Sequence, residues 1–432
     1  MKKIKIGVMG AYRGSSMINY CATADNATVV AICDKWEDGL ATQKELHKDL
    51  DIAYYNNFDY FIQHDMDAVV LANYANEHAP FAIKAMKAGK HVFSEVLPVQ
   101  TMKEAVELIE TVEKTGMTYA YGENYCYMGG PYEMKKLYEQ GKIGELEYAE
   151  CEYVHNCEKI WPSITYGEPN HWRNQMYSTF YCTHSLGPIV FGTGLRPVKV
   201  TGFESSMNER GLRCGAGKGQ FGIEMVEMEN GAIVKSIHGD LYRNSVWYSM
   251  YGSKGRMETA REDAEAGAFS HLYVNADEYS GQYESTEVQS YDPKRAMDDK
   301  VKAGHGGSDF YCMNHFVEKL LGNPNAETID VYQAMDMFLP GMFAYRSILN
   351  GGVPMEIPNL RDKAVREQWR EDTACTDPKV AGDMILPTCK SGTPKIAPEV
   401  YENMLRKWDE DQKSETGYRH NKFRVGEGEK HE

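Results

Sequence analysis

Tyr181 and His184 stand three residues apart in the run Tyr181-Cys182-Thr183-His184-Ser185-Leu186-Gly187-Pro188. On a helix that spacing sends both side chains from one face, so the two could exchange protons with a single bound ring. Histidine titrates near neutral pH without help. Tyrosine, with a pKa of about 10, becomes a base only where nearby positive charge favours the phenolate. The same spacing also suits a buried helix in which the two side chains merely satisfy each other. A second group, Asn170-His171-Trp172-Arg173, sets an indole beside hydrogen-bond donors. That combination fits a polyhydroxyl ligand, whose C–H face packs on the ring while His171 or Arg173 engages hydroxyls, although Trp172 suits plain core packing equally well. A third, Gly304-His305-Gly306-Gly307-Ser308-Asp309, precedes a helix, and Ser308 or Asp309 can serve there as its N-cap.

The elements that must position these groups fall into two patterns. Residues 4 to 9 read as a buried strand, Gly10 to Gly14 as a turn, 15 to 24 as a helix, and 28 to 33 as a second strand ending at Asp34. The alternation continues with a helix at 40–50, a strand at 68–72, a helix at 80–88, a strand at 91–94, a helix at 103–115 and a strand at 118–122. This predicts an α/β protein whose N-terminal domain, residues 1–125, is a doubly wound parallel sheet of Rossmann type, with ligand beyond the carboxyl ends of its strands. The turn Gly10-Ala11-Tyr12-Arg13-Gly14 is a shortened relative of Gly-x-Gly-x-x-Gly, in which glycine lets the backbone approach a pyrophosphate at a helix N-terminus. Asp34, about 20 residues on, can accept from both ribose hydroxyls and would repel a 2′-phosphate, which favours NAD over NADP. An ordinary βα turn with a capping aspartate would carry the same residues.

After residue 125 the pattern changes to strand-like runs at 146–154, 198–203, 223–229, 232–238 and 246–252, followed by helical segments at 308–321 and 331–350. Residues 126–360 therefore read as a C-terminal α+β domain with an open, mainly antiparallel sheet. Residues 361–432 form a charged, Pro-punctuated extension with helices at 361–370 and 398–412, and disorder is expected in the last dozen residues.

A chain of 432 residues has room for two domains plus extensions. Its formal charge of -16 argues against nucleic acid or an acidic membrane as partner, because both require concentrated Lys and Arg. A small neutral or weakly charged molecule is the better expectation, and a homo-oligomer is expected. No apolar run approaches the roughly 20 residues of a membrane span. Met1 to Gly7 leads straight into a strand and a glycine turn without the apolar core of a signal peptide, so a cytoplasmic protein is expected. The ten cysteines are dispersed with no Cys-x-x-Cys pair, which predicts neither a disulfide framework nor structural zinc; no metal is expected.

The run Asp67-Ala-Val-Val-Leu-Ala, then His78-x-x-x-Ala82, then Ala85-x-x-Ala88-Gly89-Lys90-His91-Val92-Phe93-Ser94-Glu95 resembles the Gfo/Idh/MocA oxidoreductase family over residues 1 to about 360. In typical dehydrogenases of that family Glu95 would be followed by Lys-Pro. Here the chain reads Glu95-Val96-Leu97-Pro98, and the position four residues before His184, usually Asp, is Phe180. Both departures look like the glycosidase branch similar to glycoside hydrolase family 109. The resemblance implies NAD contacts from Gly10, Tyr12, Arg13 and Gly14 in the turn, from Asp34, from Asn73 and His78, and from Glu95 and Asn124. It implies Tyr181 and His184 as acid/base residues and His171, Trp172, Arg173 and His305 as substrate contacts. Glu95 could instead be only a cap or an anchor for its loop.

The chemistry so implied is redox-neutral cleavage of a glycoside or sugar derivative. The C3 hydroxyl is oxidised by NAD, the acidified C2 proton is removed, the C1 substituent is eliminated, water adds, and the ketone is reduced again. Tyr181 is assigned to the C2 proton and His184 to the C3 hydroxyl, with exchanged roles an open alternative. The main rival is an NAD-linked sugar or glycoside 3-dehydrogenase that stops at the 3-keto product. A silent dinucleotide-binding sensor is a further one.

Overall fold

The computed structural model describes residues 2–261, 271–276, 288–295, 297–298, 301 and 305–414. Six short apolar runs build the first sheet: β1 (Ile4–Met9), β2 (Ala27–Cys33), β3 (Ala53–Tyr55), β4 (Ala68–Leu71), β5 (His91–Ser94) and β6 (Tyr119–Tyr121). Their order is β3-β2-β1-β4-β5-β6, and every pairing is parallel. A strand covered on both faces reads as an unbroken apolar run, and Ala68, Val69, Val70 and Leu71 of β4 are fully buried. The strand order reverses between β1 and β4, which opens a crevice at their carboxyl ends.

The connecting helices carry their own start and stop signals. Met102–Thr115 begins where Thr101 accepts from the Glu104 N–H at 3.1 Å while the Glu104 carboxylate accepts from the Gln100 N–H at 2.6 Å, and it ends at Gly116 in the left-handed region. The threonine cap contributes about 1 kcal/mol. His78–Lys87 starts two residues earlier than the sequence suggested and tolerates Pro80, because the N–H groups of a first turn have no intrahelical partner.

The second sheet contains β7 (Leu146–Val154), β8 (Pro197–Glu204), β9 (Phe221–Met228), β10 (Ile233–Gly239), β11 (Ser245–Gly252), β12 (Gly255–Thr259), β13 (Leu272–Asn275), β14 (Gln289–Tyr291) and β15 (Met355–Glu356). Its order is β14-β13-β12-β11-β7-β10-β9-β8-β15. All pairings are antiparallel except β7 with β10 at the centre. Strict in-out alternation along β9 marks one covered face, over which the helices Thr183–Thr193 and Val331–Leu349 lie.

The C-terminal extension is docked. Arg366, almost wholly buried, forms a fork with the Glu113 carboxylate at 2.8 and 2.6 Å, and Arg370 forms another with Glu110 at 2.9 and 2.7 Å, so Lys363–Trp369 is fastened to the Met102–Thr115 helix. The last described helix, Pro398–Lys413, packs on the segment Trp161–Thr165. Gly304 and the last dozen residues lie outside the described residues. No helix among the described residues is long and apolar enough to cross a membrane.

Candidate active site

A cleft of about 830 Å³ runs from the carboxyl ends of β1, β2 and β4 to the helix that starts at Thr183. At its first end, Gly10 has φ +109°, and a Cβ there would sit 2.4 Å from the Ala72 carbonyl oxygen, so only glycine lets the turn pass over β4. Asp34 accepts the Ala11 N–H at 2.7 Å and the Trp36 N–H at 2.9 Å, one on each oxygen. A carboxylate has about four acceptor sites, so capacity remains for two hydroxyls. Asn73 lines the cleft with a buried Oδ1 that has no hydrogen-bond partner among the described residues. An open glycine turn, a free carboxylate edge and an orphan amide oxygen fit a dinucleotide.

Tyr12, Arg13, Glu95 and Asn124 also line the cleft, whereas two of the residues expected to touch the dinucleotide do not. Gly14 is packed inward, where a Cβ would lie 2.2 Å from the Gly10 oxygen. His78 is buried with Nδ1 2.9 Å from the Leu97 oxygen and Nε2 3.3 Å from the Asn73 oxygen. Burial pulls its pKa down to about 4 against the carbonyls. His78 therefore acts as a neutral brace between the loops after β4 and β5.

Val96 follows Glu95 where the family resemblance leads to the expectation of lysine, and Arg13 supplies a cation nearby. It binds Glu95 at 2.6 Å and both oxygens of Asp309 at 2.9 and 3.0 Å. Asn124 and His305 also reach Asp309, at 3.0 and 3.1 Å. Burial works against the Arg13 cation, yet the two carboxylates hold it above its ordinary pKa. Burial also raises Glu95, only partly offset by Arg13, whereas at Asp309 the charges of Arg13 and His305 win and the carboxyl is held well below its usual range. Neither Ser308 nor Asp309 caps its helix through its side chain. Asp309 orients the cleft-lining His305 instead.

At the other end of the cleft the ring centroids of Tyr181 and His184 lie 5.4 Å apart. The helix begins at Thr183, so Tyr181 sits in the turn before it, held there by its N–H bond to His238 Nε2 at 2.8 Å. His184 Nδ1 lies 2.7 Å from the fully buried Glu123 carboxylate. That acceptor fixes the ring hydrogen on Nδ1 and leaves Nε2 as the free base. Pro188 cannot donate to the His184 carbonyl four residues back, and Tyr248 Oη fills the gap at 2.6 Å. Tyr125 and Tyr153 flank the imidazole at 4.5 and 4.6 Å.

Arg173 places its guanidinium over Trp172 at 4.5 Å and 5.7 Å from the centre of the Tyr181 ring. One indole face is thus occupied by the guanidinium, and Trp172, 9% exposed, braces Arg173 as much as it lines the cleft. Burial raises the Tyr181 pKa while the Arg173 charge opposes the rise, leaving it above its ordinary value. His171, pushed down to about 3 by burial and then by Arg173, accepts the Arg173 N–H at 3.2 Å, so its hydrogen is on Nε2.

Sequence reading missed several residues of the site. Glu123, fully buried and outside the cleft lining, stands two residues past β6, much as Asp34 follows β2 and Glu95 follows β5, and an acid just past a strand end was the available signal. Lys218, His238, Leu405 and Trp408 carried none. The last two come from the terminal helix, whose Trp408 meets Tyr166 edge-on at 5.5 Å. Gly167, at φ +68°, lies so close that a Cβ would sit 2.6 Å from the Leu405 nitrogen.

Residues 4–123 match the oxidoreductase family with NAD-binding Rossmann fold, and residues 218–370 match the glycosyl hydrolase 109 C-terminal domain. A glycosyl hydrolase family 109 protein of Solibacter usitatus is 26% identical over 85% of this chain and 89% of its own length. One from Bacteroides fragilis is 25% identical over 83% and 85%. Among solved structures, scyllo-inositol dehydrogenase from Lactobacillus casei with bound NAD(H) and scyllo-inositol shares the fold at a TM-score of 0.64 and 18% identity, covering 82% of this chain and 99% of that one. The chain thus joins a segment like the Gfo/Idh/MocA oxidoreductases to one like the glycosyl hydrolase 109 C-terminal domain, and over most of its length it is similar to proteins named glycosyl hydrolase family 109.

Proposed function

We propose that the protein is an NAD-dependent glycoside hydrolase that ends each turnover with its cofactor in the starting redox state. The observation that carries this reading is one cleft joining the Gly10–Asp34 end to the Tyr181–His184 pair, with Val96 where a dehydrogenase would present lysine. The turn, Asp34 and Asn73 would hold NAD, which would supply hydride removal from C3 of the sugar and its return. His184 Nε2 takes the C3 hydroxyl proton, and Glu123 keeps the imidazole in the required tautomer and offsets its charge. The Tyr181 oxygen takes the C2 proton, which is acidic while C3 is a ketone; the C1 substituent leaves as the C1–C2 double bond forms. Water then adds its hydroxyl at C1 and its remaining proton goes to the departed substituent; Tyr181, having exchanged its proton with solvent meanwhile, protonates C2, and His184 returns its proton to the C3 oxygen as the hydride comes back. Arg173 favours the phenolate form of Tyr181, and His305, oriented by Asp309, is placed to engage a sugar hydroxyl. General acid/base steps of this kind contribute roughly 100-fold to 10,000-fold each.

The ten free cysteines support a cytoplasmic location. Exposed Phe203, Ile233 and Tyr251 on the second sheet support a homo-oligomer. Incubation with a panel of aryl glycosides tests the function: release of the free sugar without accumulation of NADH is expected. A 3-keto glycoside with one NADH per molecule would identify a 3-dehydrogenase instead.

A further inference from the structure

Lys218 lies in the bend before β9, is 9% exposed, and lines the cleft beside Trp161, with its ammonium 5.9 Å from the indole centroid. Among the described residues it makes no ion pair within 4 Å and no hydrogen bond. The acids nearest in charge are already engaged. Asp240 receives the Cys157 N–H at 3.3 Å and faces Arg210 at 3.7 Å, and Glu204 receives the Lys390 N–H at 2.7 Å. Burial depresses the lysine against the attraction of Asp240, with Arg173 adding repulsion. A second donor without a partner stands in the same wall. His238 accepts the Tyr181 N–H through Nε2, so its hydrogen is on Nδ1, which is buried and unbonded among the described residues.

An unpaired ammonium taken out of water costs several kcal/mol unless something compensates it. Among the described residues only the Trp161 indole and the charge of Asp240, which is itself shared with Arg210, offset that cost, and the open side of Lys218 is the cleft. We propose that Lys218, with His238 Nδ1–H beside it, forms a subsite for an anionic oxygen group on the substrate, so that the preferred glycosides carry a carboxylate, sulfate or phosphate. This inference rests on the glycosidase reading and names the substrate class for that site. A lysine recognises such a group as a point charge, without the planar fork of arginine.

The test is equilibrium binding to the NAD-loaded protein of matched pairs: methyl glucoside and methyl galactoside against their uronic acid, 6-sulfate and 6-phosphate counterparts. Wild type is expected to bind at least one acidic member tenfold or more tightly than its neutral parent, and the best of the three anions identifies the group. Lys218→Met should bring that ratio to about one, whereas Lys218→Arg should keep most of it. Dinucleotide content and the thermal midpoint show that each variant is folded. A wild-type ratio near one, or a preference that survives in folded Lys218→Met, would overturn the inference and leave the glycosidase reading standing. That reading fails separately if the panel yields 3-keto products with stoichiometric NADH.

Discussion

Replacing Arg173 with methionine removes the cation that stacks close to Tyr181 while keeping a side chain of similar length over Trp172. The guanidinium carbon is 5.7 Å from the ring centre. With an effective dielectric of about 20, one unit charge at that distance favours the phenolate by about 3 kcal/mol, equivalent to about two pH units. The sign follows from the role proposed. Tyr181 must be deprotonated to take the C2 proton, burial already raises its pKa, and the Arg173 charge partly offsets that rise. Without Arg173 the pKa rises further, so the limb on which kcat/KM increases with pH moves to higher pH by about two units. At a fixed pH below both limbs the rate falls by about 100-fold. The assay is the pH–rate profile of aryl glycoside cleavage for wild type, Arg173→Met and Arg173→Lys. The lysine variant keeps the charge and should return most of the limb. If the methionine variant is folded and its profile has the wild-type shape and position, Arg173 does not act on Tyr181 and the assignment of Tyr181 as the base is wrong.

Tyr181→Phe and His184→Ala should each lower turnover by roughly 100-fold or more, and the Phe variant should melt within a few degrees of wild type by calorimetry. Retained activity in both folded variants would return the pair to a packing role. Glu123→Gln should lower kcat by about 100-fold with little change in KM, because the amide no longer fixes the imidazole hydrogen on Nδ1; an unchanged kcat would remove Glu123 from the account. Purified protein should release about one NAD per chain on denaturation. Gly10→Ala should release almost none and lose more than about 1 kcal/mol of stability in urea titration, since φ +109° and the Ala72 oxygen both exclude a methyl group.

The first sheet was legible because strands buried on both faces are continuous apolar runs, and β7 agrees with its sequence-based bounds to the residue. Weak signals failed. β3 and β12 to β15 are short, and the helix Gly129–Glu139 opens on two glycines and a proline, so its period is hidden at the start. In the site, Tyr181, His184 and Asp34 were legible because local spacing carries their relation. The helix boundary was not, since Tyr181 gives its N–H to a histidine that arrives from β10. Glu123 is 61 residues from His184 in sequence, and the packing of the Asn124–Tyr127 turn against the Thr183 helix brings them together. Asp309 read as a cap because an acid at a helix start usually is one. The positive charge of Arg13, 296 residues away, gives it another task. Lys218 and Trp408 gave no signal at all, since their meaning lies in the wall they complete.

The central claim is that C2 of the sugar loses its proton during cleavage, which ordinary glycosidases with paired carboxylates never require. Hydrolysis of an aryl glycoside in heavy water, followed by NMR of the released sugar, measures this directly. Deuterium at C2 of the product, with no net NADH, is the expected result. Released sugar that keeps its original hydrogen at C2 would contradict the elimination mechanism and with it the roles given to Tyr181 and His184.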